Sequence, residues 1–321
     1  MLFVCPDALP AHRTLLFDAA SGAFSEAGHE LRVFDGAPST IDEWNERLVG
    51  ADGLLFGWPV PAGVLSATPS LKVGTFLGTG AARFVDLDEA GAAGVAICNV
   101  PSYGANAIAE HAIALMFAVA RRIAELDRAV RAAEFPQWEM VELRGLRLGI
   151  VGLGEIGVRT AELGLALGME VSAWTRRDNE ARCAALGVSP ATDLRELFAG
   201  SDVISLHLSH VPETEGLIDA ELIGALPDQA IFINTARGEL VDNQALADAL
   251  DSGLLRGVGA DVYREEPPAA TEPLLTQPRA VLTSHVAYNT PAAVRDLYRR
   301  GIENLTAFAA GEPTNVVGGE H

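Results

Sequence analysis

The stretch Leu148-Gly149-Ile150-Val151-Gly152-Leu153-Gly154-Glu155-Ile156-Gly157 decides how this chain is read. An apolar, strand-like run leads directly into GxGxxG. A helical segment, Val158 to Leu167, follows and stops at Gly168, and a second strand, Glu170 to Trp174, comes next. Strand, glycine turn, helix, strand is the dinucleotide-binding unit. Gly152 permits the tight turn, Gly154 lets the backbone approach a pyrophosphate, and Gly157 lets the helix pack close to the strand. The helix N-terminus, next to the loop residues Glu155 and Ile156, then faces the phosphates with free N–H groups.

Outward from this unit the same rhythm continues. Downstream, Val203–Leu206, Ala230–Asn234, Gly257–Ala260 and Ala280–Thr283 read as strands, and Pro291 to Phe308 as a helix with Val316-Val317 a returning strand. Upstream, Leu2–Val4, Leu31–Phe34, Leu54–Phe56, Val73–Leu77 and Val95–Asn99 read as strands, with Ala11–Ala27 and Thr40–Leu48 as helices between them. Alternating strands and helices predict an α/β fold with parallel sheets covered by helices. Between the two series, Pro101-Ser102 opens a predicted helix running to about Arg131. Its middle, Ile108 to Val119, is apolar nearly all round, so it is expected to be buried between domains or in a subunit interface.

The 321 residues suffice for about two domains. The formal net charge is −20, from 23 basic and 43 acidic residues. Such a surface repels phosphate backbones and anionic membranes, so no nucleic-acid or membrane partner is expected. Lys72 is the one lysine, which leaves little room for lysine chemistry. Cys5, Cys98 and Cys183 are scattered and odd in number, which reads as reduced thiols with neither a disulfide framework nor a zinc site. Met1–Pro6 has no basic region with a long apolar core, and no apolar run reaches bilayer length. The expectation is a cytoplasmic protein without a bound metal.

The tip of the second strand selects the cofactor. An NAD site places Asp or Glu there for the ribose 2′-hydroxyl. Here the strand runs into Thr175-Arg176-Arg177, with no carboxylate at the tip. An arginine fork pairs with a 2′-phosphate that a carboxylate would repel. NADP(H) is therefore the preferred cofactor, with Thr175, Arg176 and Arg177 at the 2′-phosphate. NAD(H) is the alternative if Asp178 swings into the site.

Three further motifs each follow a predicted strand: Asn234-Thr235-Ala236-Arg237-Gly238, Asp261-Val262-Tyr263-Arg264-Glu265-Glu266-Pro267, and Ser284-His285-Val286-Ala287. In open α/β sheets ligands bind beyond the carboxyl ends of the strands. One Arg, one Glu and one His are thus expected to converge near the cofactor's reactive ring.

With the glycine loop, Ser205-Leu206-His207 and Pro212 to Asp219, these motifs resemble the D-2-hydroxyacid dehydrogenase family, which includes glyoxylate/hydroxypyruvate reductases and 3-phosphoglycerate dehydrogenase. The resemblance covers nearly the whole chain. It implies two similar Rossmann-like domains, one flavodoxin-like and one dinucleotide-binding. Residues 101–289 form the cofactor domain, inserted in a catalytic domain of residues 1–100 and 290–321. It implies Arg237, Glu266 and His285 as the catalytic set, with Glu266 preferred to Glu265 because it directly precedes the proline. His207, Thr235, Ala236, Asp261, His285 and Ala287, and Arg237 itself, match cofactor-contact positions.

The chemistry suits these residue types. A 2-oxo acid carries a carboxylate beside a carbonyl, and the planar fork of Arg237 can hold the first and polarise the second. His285 changes charge near neutral pH and can give a proton to the new alkoxide. Glu266, accepting from the other imidazole nitrogen, stabilises imidazolium. On the substrate side, Thr79 and Gly80 match the family's carboxylate-binding loop. Phe56 and Trp58 are the other pocket candidates, and Trp138 is a second tryptophan to consider, from a neighbouring subunit. His210 departs from the family's usual residue, and Ala81-Ala82-Arg83 lengthens the substrate loop.

The reading that follows is an NADPH-preferring reductase of 2-oxo acids to D-2-hydroxy acids, acting on glyoxylate, hydroxypyruvate or a bulkier 2-oxo acid. A homodimer joined through the Ser102–Arg131 helix is expected. The alternatives are an NAD-dependent D-2-hydroxyacid or phosphoglycerate-type dehydrogenase and, more distantly, a non-catalytic dinucleotide sensor.

Overall fold

The computed structural model describes residues 1–176 and 180–318. By its internal contacts the chain forms two units, Met1–Gly104 with the segment from Asn289 onward, and Ala105–Tyr288. The first opens with β1 (Leu2–Ala8), α1 (Arg13–Ala27), β2 (Glu30–Asp35), α2 (Ile41–Arg47), β3 (Gly53–Phe56), β4 (Val73–Phe76), α3 (Leu87–Ala93) and β5 (Ala96–Cys98). The second begins with α4 (Ala105–Ala120), α5 (Ile123–Arg131), β6 (Arg147–Val151), α6 (Glu155–Ala166) and β7 (Glu170–Trp174). It continues through α7 (Glu180–Leu186), β8 (Ser189–Pro190), α8 (Leu194–Ala199), β9 (Val203–Leu206), α9 (Ala220–Gly224) and β10 (Ala230–Asn234). α10 (Asn243–Ser252), β11 (Leu255–Ala260) and β12 (Ala280–Leu282) complete it. α11 (Pro291–Ala309) and β13 (Val316–Val317) belong again to the first unit.

The first sheet has the order β13-β5-β4-β3-β1-β2 and the second β12-β11-β10-β9-β6-β7-β8. Both are parallel as expected, except that the returning strand β13 pairs antiparallel with β5 at one edge. In each sheet the strand order reverses beside the first strand, between β1 and β3 and between β6 and β9. Such reversals open a crevice at the carboxyl ends, where ligands bind in folds of this type. Strands β3, β9 and β10 are buried along their whole length, as strands covered on both faces must be. Part of the acidic excess has structural work. Asp86, Asp193, Asp219 and Asp242 each accept backbone N–H bonds at a helix N-terminus, a contact worth about 1 kcal/mol.

The predicted helix from Ser102 to Arg131 is two helices. Ser102 has a positive φ, and α4 starts at Ala105. The chain breaks again at Arg122, in the left-handed region at φ 49°. The cause lies in the sequence: the apolar run ends at Ala120, and the arginines that follow cannot be buried unpaired. Arg122 turns out to a bidentate pair with Glu125 (3.0 and 2.8 Å) and stacks 4.1 Å above the Trp138 ring. Trp138 is thereby engaged within its own unit. The apolar faces of α4 are covered inside the second unit too. Gly257 and Gly259 of β11 let Val119 and Leu115 approach the sheet, and α6 packs against the helix. The structure adds the short edge strand β8, starts α6 at Glu155 and lengthens β11 by two residues. Among the described residues no helix is long and apolar enough to cross a membrane, and the three cysteines are free and buried.

Candidate active site

The glycine loop sits at the reversal between β6 and β9. Gly152 adopts φ +99°, and a Cβ there would meet the His207 carbonyl at 2.7 Å and the Leu208 nitrogen at 2.9 Å. Any side chain would push the ends of β6 and β9 apart. A Cβ on Gly157 would strike the Gly152 carbonyl oxygen, so this glycine sets how closely α6 approaches the strand. Gly154 is different: it is exposed and nothing lies within 4 Å of its Cβ direction. Open space stands in front of the N-terminus of a twelve-residue helix, with Glu155 exposed and Ile156 half-buried beside it. Two buried side-chain atoms, Thr235 Oγ1 and His207 Nδ1, have no hydrogen-bond partner among the described residues. Both residues stand at positions that the family resemblance implies as cofactor contacts. An open cradle, a helix N-terminus and unspent polar atoms fit a dinucleotide.

His207 directly follows β9, with its Nε2 2.9 Å from Ser205 Oγ. Part of the residue reaches the surface, yet its Nδ1 is shut from water, and burial pushes the imidazole down to about 3. It is neutral at physiological pH. Beyond β7, Thr175 is half-buried and Arg176 exposed. Arg177 and Asp178 lie outside the described residues.

The other motifs assemble around Asp261. This residue is buried, and its carboxylate is taken up by the loop after β12. Oδ1 accepts from the Thr283 hydroxyl (2.5 Å) and the Val286 N–H (3.0 Å), and Oδ2 from the Ala287 N–H (2.9 Å). The Asp261 carbonyl accepts from the His285 N–H at 2.8 Å. These bonds bracket His285, which sits in the left-handed region at φ 53°. A non-glycine residue there is uncommon and is held by its surroundings. The His285 Nδ1 lies 2.7 Å from Glu266 Oε2, and Glu266 Oε1 accepts from the Tyr263 N–H at 3.1 Å. Tyr263 in turn donates its hydroxyl to the Thr283 carbonyl at 2.9 Å. Burial raises that hydroxyl to about 12, so it stays a donor.

Arg237 leaves β10 in extended backbone. Asn234 clamps its loop, giving its amide to the Arg237 carbonyl (3.0 Å) and accepting from the Ala236 N–H (3.0 Å). A Cβ on Gly238 would collide with the backbone of Tyr263 and Arg264. That contact lays the Arg237 loop directly against the Glu266 loop. Ala236 and Ala287 are buried and close the walls. Arg237, Glu266 and His285 thus come from adjoining loops at the carboxyl ends of β10, β11 and β12.

One residue escaped the sequence reading. His111 stands outside every motif quoted from the sequence. Its Nε2 lies 3.0 Å from Thr283 Oγ1 and 3.7 Å from Asp261 Oδ1. The Thr283 hydroxyl gives its proton to Asp261, so it accepts from His111, and a chain His111 to Thr283 to Asp261 results. The signal was faint, since His111 lies on α4 and 172 residues from Thr283. On the substrate side, Thr79, Gly80, Phe56 and Trp58 all belong to the first unit, after β4 and at the end of β3. Phe56 is corrected: it is wholly buried, its ring 5.6 Å from that of Phe76, and it serves the core. Trp58 is 46% exposed and Thr79 is exposed, with its carbonyl accepting from the Asn99 amide.

The second unit has the anatomy of a dinucleotide-binding domain with an Arg, a Glu and a His at its ligand edge. Residues 113–287 match the model of the D-isomer specific 2-hydroxyacid dehydrogenase, NAD binding domain. The glycerate dehydrogenase of Methylorubrum extorquens is 34% identical over 300 residues, 90% of this chain and 92% of that one. The hydroxypyruvate reductase of Blautia hydrogenotrophica is 33% identical over 306 residues, 91% and 93% of the two chains. An acyclic imino acid reductase solved with NADPH and D-Arg aligns at TM-score 0.83 and 27% identity, covering 99% and 100%. This chain belongs to the D-isomer-specific 2-hydroxyacid dehydrogenase family. It is an oxidoreductase that works with a nicotinamide dinucleotide.

Proposed function

We propose that this protein reduces small 2-oxo acids of the glyoxylate and hydroxypyruvate type to D-2-hydroxy acids, with NADPH preferred. The hydrogen bond between His285 Nδ1 and Glu266, on a histidine held at positive φ, carries this reading. Glu266 occupies Nδ1 and leaves Nε2 for the substrate oxygen. Gly152–Gly157, Thr235 and His207 would hold the dinucleotide, which would supply the hydride. Arg237 binds the substrate carboxylate and draws charge from the carbonyl. As the carbonyl becomes an alkoxide, His285 gives it a proton, and Glu266 stabilises the imidazolium that precedes transfer. In the reverse direction His285 removes that proton. Fixing the oxo acid on Arg237 replaces a two-body encounter with an oriented one.

The carboxylate-free tip at Thr175-Arg176, with Arg177 next in sequence, supports NADPH over NADH. Glycerate and hydroxypyruvate in the relatives' names support the substrate class. We also propose a cytoplasmic homodimer. Ile123 and Val130 on α5, and Phe135 after it at 82% exposed, form an apolar surface that a second copy would cover. The test is absorbance at the nicotinamide band with NADPH and NADH side by side, against glyoxylate, hydroxypyruvate, pyruvate and phenylpyruvate. Faster turnover with NADPH supports the full reading. Faster turnover with NADH overturns the cofactor preference, and none with either overturns the reaction.

A further inference from the structure

Helix α4 runs along β11 in the opposite direction, and its turns keep step with the strand. Val119 meets Gly257 and Leu115 meets Gly259. One turn nearer the helix N-terminus, His111 comes to Asp261, its Nε2 3.7 Å from Oδ1. Four helical residues rise about 6 Å and two strand residues about 6.6 Å, so the register holds over all three steps. The first two contacts are apolar side chains on glycine. A leucine at position 111 would continue that ridge, and packing alone calls for nothing else there. The residue is instead a half-buried histidine.

Its imidazole meets Thr283, two residues before His285. Thr283 is held at each of its polar groups. Its N–H donates to the Ala260 carbonyl at 2.9 Å, and its carbonyl accepts from the Tyr263 hydroxyl at 2.9 Å. Its hydroxyl proton goes to Asp261 Oδ1 at 2.5 Å. With that proton spent, the 3.0 Å contact with His111 Nε2 is one in which the ring N–H donates. A hydroxyl that accepts one bond donates the other more strongly. Asp261 is 1% exposed, and a buried carboxylate depends on a full set of donors. The same Oδ1 takes the Val286 N–H at 3.0 Å, and the Asp261 carbonyl takes the His285 N–H at 2.8 Å. His285 needs this bracket, since a non-glycine residue at φ 53° persists only where its surroundings over-determine it.

We infer that His111 is a positioning residue for His285: from α4, through the Thr283 hydroxyl and Asp261, it locks the loop that presents the proton-donating imidazole. This rests on the reading of His285 given above. His111 touches neither substrate nor cofactor in this account and acts only through Thr283.

Three variants test it. His111→Leu keeps the apolar ridge and removes the donor, His111→Gln keeps a side-chain N–H, and Thr283→Val removes the hydroxyl at constant shape. The first arm follows amide hydrogen exchange in the free protein. His111→Leu and Thr283→Val should each speed exchange at His285 and Val286 by about tenfold, with β6 unchanged and His111→Gln close to wild type. Unchanged exchange at both amides, or a uniform rise across the whole unit, overturns the inference. The second arm measures kcat for hydroxypyruvate at saturating NADPH. His111→Leu should lower kcat by about tenfold with KM and NADPH affinity unchanged, and His111→Gln should recover most of the loss. The double variant His111→Leu, Thr283→Val should be no slower than Thr283→Val alone. A loss carried by KM or by NADPH binding, no recovery in His111→Gln, or additive losses in the double variant would make His111 an ordinary packing residue and overturn the inference. If His111→Leu fails to fold, Thr283→Val and His111→Gln decide on the same two readouts. Absence of turnover by wild type with every 2-oxo acid overturns the catalytic reading, while the exchange arm still decides whether His111 holds the loop.

Discussion

Replacing Asp7 by asparagine should make the fold more stable at neutral pH, and by an amount that depends on pH in a known direction. Asp7 rises from 3.8 to about 6 on folding. At ~1.4 kcal/mol per tenfold, its ionised form costs about 3 kcal/mol relative to an unfolded chain. The folded state holds the proton more tightly than the unfolded one. The contribution to stability is therefore fully present below about pH 4 and is lost as pH rises through about 6. Asparagine keeps the volume and stays neutral. Its advantage over aspartate should grow by about 2 kcal/mol between pH 4.5 and pH 7.5. Groups common to both proteins cancel in the difference. Urea unfolding followed by circular dichroism, in both proteins at several pH values, measures it. A variant less stable than wild type at pH 7.5, or a difference that does not change with pH, would refute the reasoning.

Gly157→Ala should drive a methyl into the Gly152 carbonyl, costing about 1–3 kcal/mol and weakening NADPH binding in a fluorescence titration. Asp261→Ala should strand the N–H groups of Val286 and Ala287 and the Thr283 hydroxyl. At about 1–3 kcal/mol for each buried orphan, unfolding should come at visibly lower denaturant, and kcat should fall with His285 no longer held. Arg176→Ala should weaken NADPH by about tenfold while leaving NADH unchanged, read as the ratio of the two dissociation constants.

The parts of the fold legible in the sequence were those encoded locally. β6, β7, β9 and β10 fall where the apolar runs stand, and GxGxxG announces its turn because backbone conformation and close packing admit nothing but glycine there. What stayed hidden depended on distant partners. The break at Arg122 needs Glu125 and Trp138 as landing places. Phe56 is a pocket candidate in the sequence, but the pleat turns it into the core. His111 gains its place from Thr283, and Asp7 from a loop 50 residues away. The Arg, Glu and His motifs were visible as types. Their geometry rests on Asp261 and Gly238, whose roles appear only when the loops meet.

The central claim is that His285, oriented by Glu266, protonates a 2-oxo acid as it is reduced. The most direct measurement is kcat for hydroxypyruvate with saturating NADPH in wild type and in His285→Gln, with NADPH affinity measured alongside. The account predicts a loss of about 10²–10⁴ in kcat with cofactor binding unchanged. Full activity in His285→Gln, or a loss accounted for by weaker NADPH binding, would contradict it.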